Sequence, residues 1–227
     1  CEKSASITVG TPTVVTLSLE KTDVLCFGSS DGTVTATFSG GTPPYMARID
    51  GGSYAAATSP KAFTGLAAGS HTVWVKDANN CEKSASITVG TPTVVTLSLN
   101  KTDVLCFGSS DGTVTATFSG GTPPYMARID GGSYAAATSP KAFTGLATGS
   151  HTVWVKDANN CEKSASITVG TPTVVTLSLE KTDVLCFGNS DGTVTATFSG
   201  GTPPYMARID GGSYAAATSP KAFTGLA

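Results

Sequence analysis

The chain has 227 residues, 13% charged and 40% hydrophobic, with 14 Lys and Arg against 16 Asp and Glu and a formal net charge of −2. Nucleic-acid binding needs a basic stripe that displaces counterions from phosphates, and here the cations stand singly among the acids. No apolar run approaches the roughly 18 residues that cross a bilayer, and residues 1–13 show no basic-then-apolar leader, so any signal or anchor is expected elsewhere in a longer polypeptide.

The opening segment CEKSASITVGTPT (1–13) returns unchanged at 81–93 and 161–173. At this offset of 80 residues, 81–160 differ from 1–80 only in Asn100 for Glu20 and Thr148 for Ala68, and 161–227 differ from 1–67 only in Asn189 for Ser29. Such a period exceeds the roughly 20–50 residues of solenoid units and leaves each copy large enough for a core of its own.

Within a copy, short alternating runs are punctuated by Gly, Pro and Asn, and no 3.6-residue periodicity persists, so the elements read as strands. TPT at 11–13, 91–93 and 171–173 carries a proline that cannot donate to a ladder, which places the joints there. VVTLSLE then sets Val15, Leu17 and Leu19 on one face, with Ser and Thr between. After a CFGSSDG turn, TVTATFSGG turns Val34, Ala36 and Phe38 inward and Thr33, Thr35 and Thr37 outward. GGTPPY and IDGG read as turns, with Asp50 as hairpin chemistry. SHTVWVKD places Val73 and Val75 together and Trp74 opposite, DANN closes the turn, and SASITVG sets Ala85, Ile87 and Val89 inward.

These elements predict an all-β tandem array of small antiparallel immunoglobulin-like (PKD-like) β-sandwich domains. The expected boundaries are 1–13 as the last strand of a preceding repeat plus linker, and 14–93 and 94–173 as complete repeats. Residues 174–227 form a truncated repeat lacking its last two strands, so position 1 reads as an arbitrary start within the array.

DVLCFGSSDGTVTATFSGGTPPY followed by GLAAGSHTVWVKDANNC resembles the SprB repeat of gliding bacteria. The resembling positions are Cys26, Gly28, Gly40, Gly41, Pro44, Tyr45, Leu66, Gly69, Asp77, Asn79 and Cys81. His71 stands where that family usually has Tyr, and Asn80 where it usually has Gly. The resemblance implies a very large adhesin exported by type IX secretion to the outer face of the outer membrane, carried along the cell in gliding. Its implied partners are adjacent repeats of the same chain, the gliding and secretion machinery, and external surfaces or polysaccharide met through other regions.

Six cysteines occur at Cys1, Cys26, Cys81, Cys106, Cys161 and Cys186, two to each full copy. Regular pairs in a surface protein point to disulfides, whereas no CxxC spacing and one His per copy speak against zinc. Cys26–Cys81 and Cys106–Cys161 is the favoured pairing, although it requires the first strand or its loop to fold back, since bridged Cα atoms lie within about 7 Å. Simple up-and-down routing instead brings Cys26 to Cys161. The two routes stay open at this level.

Asp31, Asp77 and Asn79 are candidate calcium ligands, but Asp and Asn dominate turns by capping their own backbone, and no cofactor is expected. His71 has no triad context, and Arg48 and Trp74 read as surface. With no nucleophile, base and orienter together, an enzyme is the least supported class. A non-catalytic stalk that projects an adhesive tip and transmits force is favoured by near-identical copies. The alternative is a carbohydrate- or surface-binding module of a secreted protein.

Overall fold

The alternation of apolar and hydroxyl side chains is realised as seven strands in the first copy. They are β1 (Thr16–Thr22), β2 (Gly32–Ser39), β3 (Tyr45–Ile49), β4 (Ala55–Ala57), β5 (Lys61–Leu66), β6 (Gly69–Lys76) and β7 (Glu82–Val89). The structure is a computed structural model that describes residues 1–227, and it contains no helix.

Two antiparallel sheets, ordered β1-β2-β5 and β4-β3-β6-β7, face each other across one core. The layout is an immunoglobulin-like sandwich, all-β as expected. Val34, Ala36 and Phe38 of β2 meet Ala47, Val73, Val75 and Val89 of the other sheet. Register follows the pleat: Leu17 opposes Phe38 and Leu19 opposes Ala36, so that apolar cross-strand pairs share the inner face. The outer face of the same ladder is stitched by hydroxyls, with Thr16 Oγ1 at 2.8 Å from Ser39 Oγ.

The second copy repeats this as β8 (Thr96–Thr102), β9 (Gly112–Ser119), β10 (Tyr125–Ile129), β11 (Ala135–Ala137), β12 (Lys141–Leu146), β13 (Gly149–Lys156) and β14 (Glu162–Val169). Its sheets have the orders β12-β9-β8 and β11-β10-β13-β14. The third has only β15 (Thr176–Thr182), β16 (Gly192–Ser199), β17 (Tyr205–Ala207), β18 (Ala215–Ala217) and β19 (Lys221–Leu226). With no counterparts of β6 and β7, its inner face is uncovered. Leu177 and Leu179 are 64% and 63% exposed, and with Val175, Phe198, Tyr205 and Met206 they line an open groove of about 610 Å³.

Residues 1–15 form no strand, and Ile7 is 92% exposed, although the same sequence is strand β7 at 82–89. The difference is a partner: β7 pairs with β6 from Gly69↔Val89 to Lys76↔Glu82, and residues 1–10 have no such strand beside them.

By contacts the chain divides into two units. One comprises Cys1–Thr96, Ser119–Tyr125 and Lys156–Glu162, and the other Leu97–Phe118, Met126–Val155 and Lys163–Ala227. Within the first, the glycine pair before β3 is held against the segment before β1, where the Gly41 amide donates to the Thr13 carbonyl at 2.8 Å. Gly40 has φ 75°, and a Cβ there would lie 2.0 Å from the Val14 carbonyl oxygen, so only glycine fits.

Candidate functional site

The turn from β6 to β7 is built on Asp77, a buried carboxylate. Its Oδ1 accepts from the amides of Asn79 (2.9 Å) and Cys81 (2.8 Å), and its Oδ2 from the amide of Thr42 (2.9 Å). The Thr42 amide above all, then those of Cys81 and Asn79, hold this carboxyl below its ordinary range against the opposing effect of burial. Asn79 Nδ2 donates to Thr42 Oγ1 at 3.1 Å, and Asn80 takes the left-handed conformation (φ 64°) that closes the turn. Asp157 repeats the arrangement with Thr122, Asn159 and Cys161. Both oxygens of Asp77 are therefore engaged by backbone amides, as a hairpin staple.

Asp31 performs a similar task elsewhere, accepting on Oδ1 from the Leu25 amide (3.1 Å) and the Ser29 hydroxyl (2.6 Å). It immediately precedes β2, whereas Thr42 lies beyond that strand's other end. An eight-residue strand spans about 26 Å. The structure thus brings Asp77 and Asn79 together but does not gather Asp31 with them.

Sequence reading missed Asp23. Its Oδ1 accepts from the Gly90 amide at 2.6 Å and from Lys21 Nζ at 2.6 Å, and the Val24 amide donates to the Gly90 carbonyl at 3.1 Å. These bonds pin the end of β1 to the end of β7. The only local signal is Lys21 and Asp23 two apart at the end of β1; Gly90 lies 67 residues away, so the fold must bring it there.

That same clamp decides the reach of Cys26. The cysteine follows Val24 at the finishing end of β7, whereas Cys81 immediately precedes the first residue of β7, about 26 Å away along an eight-residue strand. The structure does not pair Cys26 with Cys81, nor Cys106 with Cys161. Cys26 is disulfide-bonded to Cys161, with Cα atoms 5.6 Å apart, and Cys1, Cys81, Cys106 and Cys186 are exposed free thiols. Both halves of the bridge lie in the first unit. Asn159 Nδ2 donates to the Leu25 carbonyl beside it at 3.1 Å.

His71, the third residue of β6, faces two acceptors. Its Nδ1 donates to Asp50 Oδ2 at 2.7 Å and its Nε2 to the Ala67 carbonyl at 2.9 Å, while Asp50 Oδ1 accepts from the Thr72 amide at 2.9 Å. Both ring nitrogens must carry hydrogen to satisfy this geometry. The Ala67 carbonyl first, then Asp50, raise the His71 pKa above its ordinary value. Burial opposes ionisation of Asp50, but the bonds from His71 and Thr72 outweigh it and lower that carboxyl. The raised histidine contributes stability fully present below about pH 6.5 and lost as pH rises through its folded pKa. The melting temperature is accordingly expected to fall between pH 6 and pH 9, and the joint change of His71 and His151 to Gln should flatten that slope in a thermal melt series. An unchanged slope in the double variant would assign it to other groups.

Arg48 Cζ stands 4.0 Å above the Trp74 ring and 5.1 Å from that of Tyr54, and Arg48 Nη1 donates to the Asp50 carbonyl at 2.9 Å. Lys76 Nζ lies 4.7 Å from the Tyr54 ring, and Tyr54 OH donates to Glu82. The outward aromatic face of the four-stranded sheet is thus covered by the protein's own cations. Tyr45, after the two prolines, donates from its OH to the Gly40 carbonyl at 2.6 Å and packs edge-on against Phe38 with centroids 5.2 Å apart.

The family model of the SprB repeat matches residues 18–46, 98–126 and 178–206. In these three segments the chain is similar to the SprB repeat. Each match runs from β1 through the cysteine loop and β2 to the start of β3, or the equivalent strands of its copy, and includes Cys26, the glycines before β3 and Tyr45 in the first. The stapled hairpin at Asp77 and the cysteine that follows it lie outside the first match. No curated protein matches the chain. Among solved structures, one described as the structural basis for Dscam isoform specificity aligns with 70% of this chain at 12% identity and a TM-score of 0.28. This chain spans 46% of that one's length.

Proposed function

We propose that these SprB repeats are a non-catalytic stalk of a large cell-surface adhesin, holding an adhesive tip away from the outer membrane and transmitting force during gliding. The observation that supports it is the repetition of one sandwich whose polar side chains are spent on its own turns. Asp31, Asp50, Asp77 and Tyr45 all bond within their copy, and Trp74 is capped by Arg48. The repeats run with boundaries near 14, 94 and 174, and the first two each bury a core of their own. Export by type IX secretion and a place on the outer face of the outer membrane follow from the family resemblance.

Small-angle scattering on proteins of two, four and six repeats tests the stalk. The maximum dimension is expected to rise linearly, by roughly 35–45 Å per copy for strands of this length with loops at both ends. A dimension that stays constant as copies are added overturns the reading. Binding of a two-repeat protein on a glycan array would favour a carbohydrate-recognising module instead.

A further inference from the structure

We infer that the Cys26–Cys161 bridge is a link between successive copies that recurs at every step of the array, so that disulfides in this protein join repeats and do not close within them. The bridge spans a sequence separation of 135 residues and connects the loop before β2 of the first copy to the hairpin before β14 of the second. Cys81 cannot substitute for Cys161, because the Asp23–Gly90 clamp holds Cys26 at the far end of β7 from it. A noncovalent contact made only by the second copy's hairpin, Asn159 Nδ2 to the Leu25 carbonyl, supports the same docking of loop and hairpin.

Repetition carries the pairing forward. The site on Cys106 requires a hairpin cysteine 135 residues further on, and the site on Cys81 a loop cysteine 135 residues earlier, by the separation seen at the formed bridge. Residues 1–227 hold a cysteine at neither of these positions, and both thiols are free and exposed. The bond forms when each thiol gives up a proton and an electron. The two electrons reduce one low-molecular-weight disulfide, such as oxidised glutathione, to two thiols. Tension applied outside the closed loop then passes across the sulfur bridge instead of through β2–β13, whatever the role of the array.

Tryptic peptides around equivalent cysteines of the first two copies are identical, so the test uses paired variants. Four cysteines are changed to Ser, leaving only Cys26 with Cys161, only Cys26 with Cys81, or only Cys106 with Cys161. Each protein is equilibrated in a glutathione redox buffer and its free thiols are counted after denaturation. The chain retaining Cys26 and Cys161 is expected to lose both thiols as a monomer that migrates faster without reductant, while the other two retain theirs. Oxidation of either other pair as a monomer, or two remaining thiols in the Cys26 and Cys161 chain, overturns the inference. In a protein with one further 80-residue copy inserted, two intrachain disulfides are expected, whereas closure within copies gives three. Failure of the scattering test would leave these counts untouched.

Discussion

Residues 174–227 prepared alone are expected to show no cooperative unfolding, whereas residues 94–173 under reducing conditions unfold in one transition. The two stretches share nearly all their strand sequences up to β12 and β19, and they differ in the presence of β13 and β14. Where those strands are present, Val114, Ala116, Val153, Val155 and Val169 are fully buried. Where they are absent, Leu177 and Leu179 face an open groove. A sheet with one uncovered apolar face and an unpaired edge lacks the second layer that a sandwich core needs. Supplying the missing layer should rescue it: a peptide of residues 149–170, which carries the reporter Trp154, is expected to bind residues 174–227 with a blue shift of its fluorescence and to restore a melting transition. Cooperative, monomeric unfolding of residues 174–227 without the peptide would show that the last two strands are dispensable.

The inward faces were legible because alternation is a local signal. Val34, Ala36 and Phe38 are buried where TVTATFSGG places them, as are Val73 and Val75 in SHTVWVKD. Not read from the sequence were β4 and β5, formed by AAATSPKAFTGL, which has neither β-branched runs nor clean alternation. These strands exist because β3 and β2 offer ladders to them, with Tyr45↔Ala57 and Val34↔Phe63 in register. Context outweighs propensity there. Asp77 was recognisable as a turn residue, but its bond to Thr42, 35 residues away, was not. The cysteines show the same limit. Whether Cys26 reaches Cys81 or Cys161 depends on which end of β7 meets β1, a long-range fact set by Asp23 and Gly90 and invisible in the spacing of cysteines. Trp74 and Arg48 were each placed on an outer face, but their stacking depends on Arg48 lying opposite Trp74 across the β3–β6 ladder.

Changing the same phenylalanine to alanine in each copy is expected to give unequal costs from equal sequences. Phe38 is 3% exposed, pairs across from Leu17 and meets the Tyr45 ring edge-on at 5.2 Å. Removing such a ring leaves a cavity that a sandwich of this size closes poorly, at about 3–5 kcal/mol. A domain of this length has a total stability of about 4–12 kcal/mol, so Phe38→Ala brings the first copy close to unfolding. Phe118, 4% exposed in the second copy, should behave alike. Phe198 keeps the edge contact to Tyr205 at 5.2 Å but lines the open groove, where solvent already reaches the ring and no closed cavity can form. Its replacement is expected to cost less than half as much. Denaturant unfolding followed by Trp74 in a Trp154→Phe background, and by Trp154 in a Trp74→Phe background, assigns the Phe38 and Phe118 losses to their copies, and circular dichroism, which also senses the third copy, reads the Phe198 loss. Phe38→Ala should lower the midpoint seen by Trp74 far more than that seen by Trp154, and Phe118→Ala the reverse, since each ring belongs to a separate core. Equal shifts at both tryptophans from either single change would mean that the copies unfold as one cooperative body, and a Phe198→Ala cost equal to that of Phe38→Ala would mean that the third copy has closed its core without β6 and β7 counterparts.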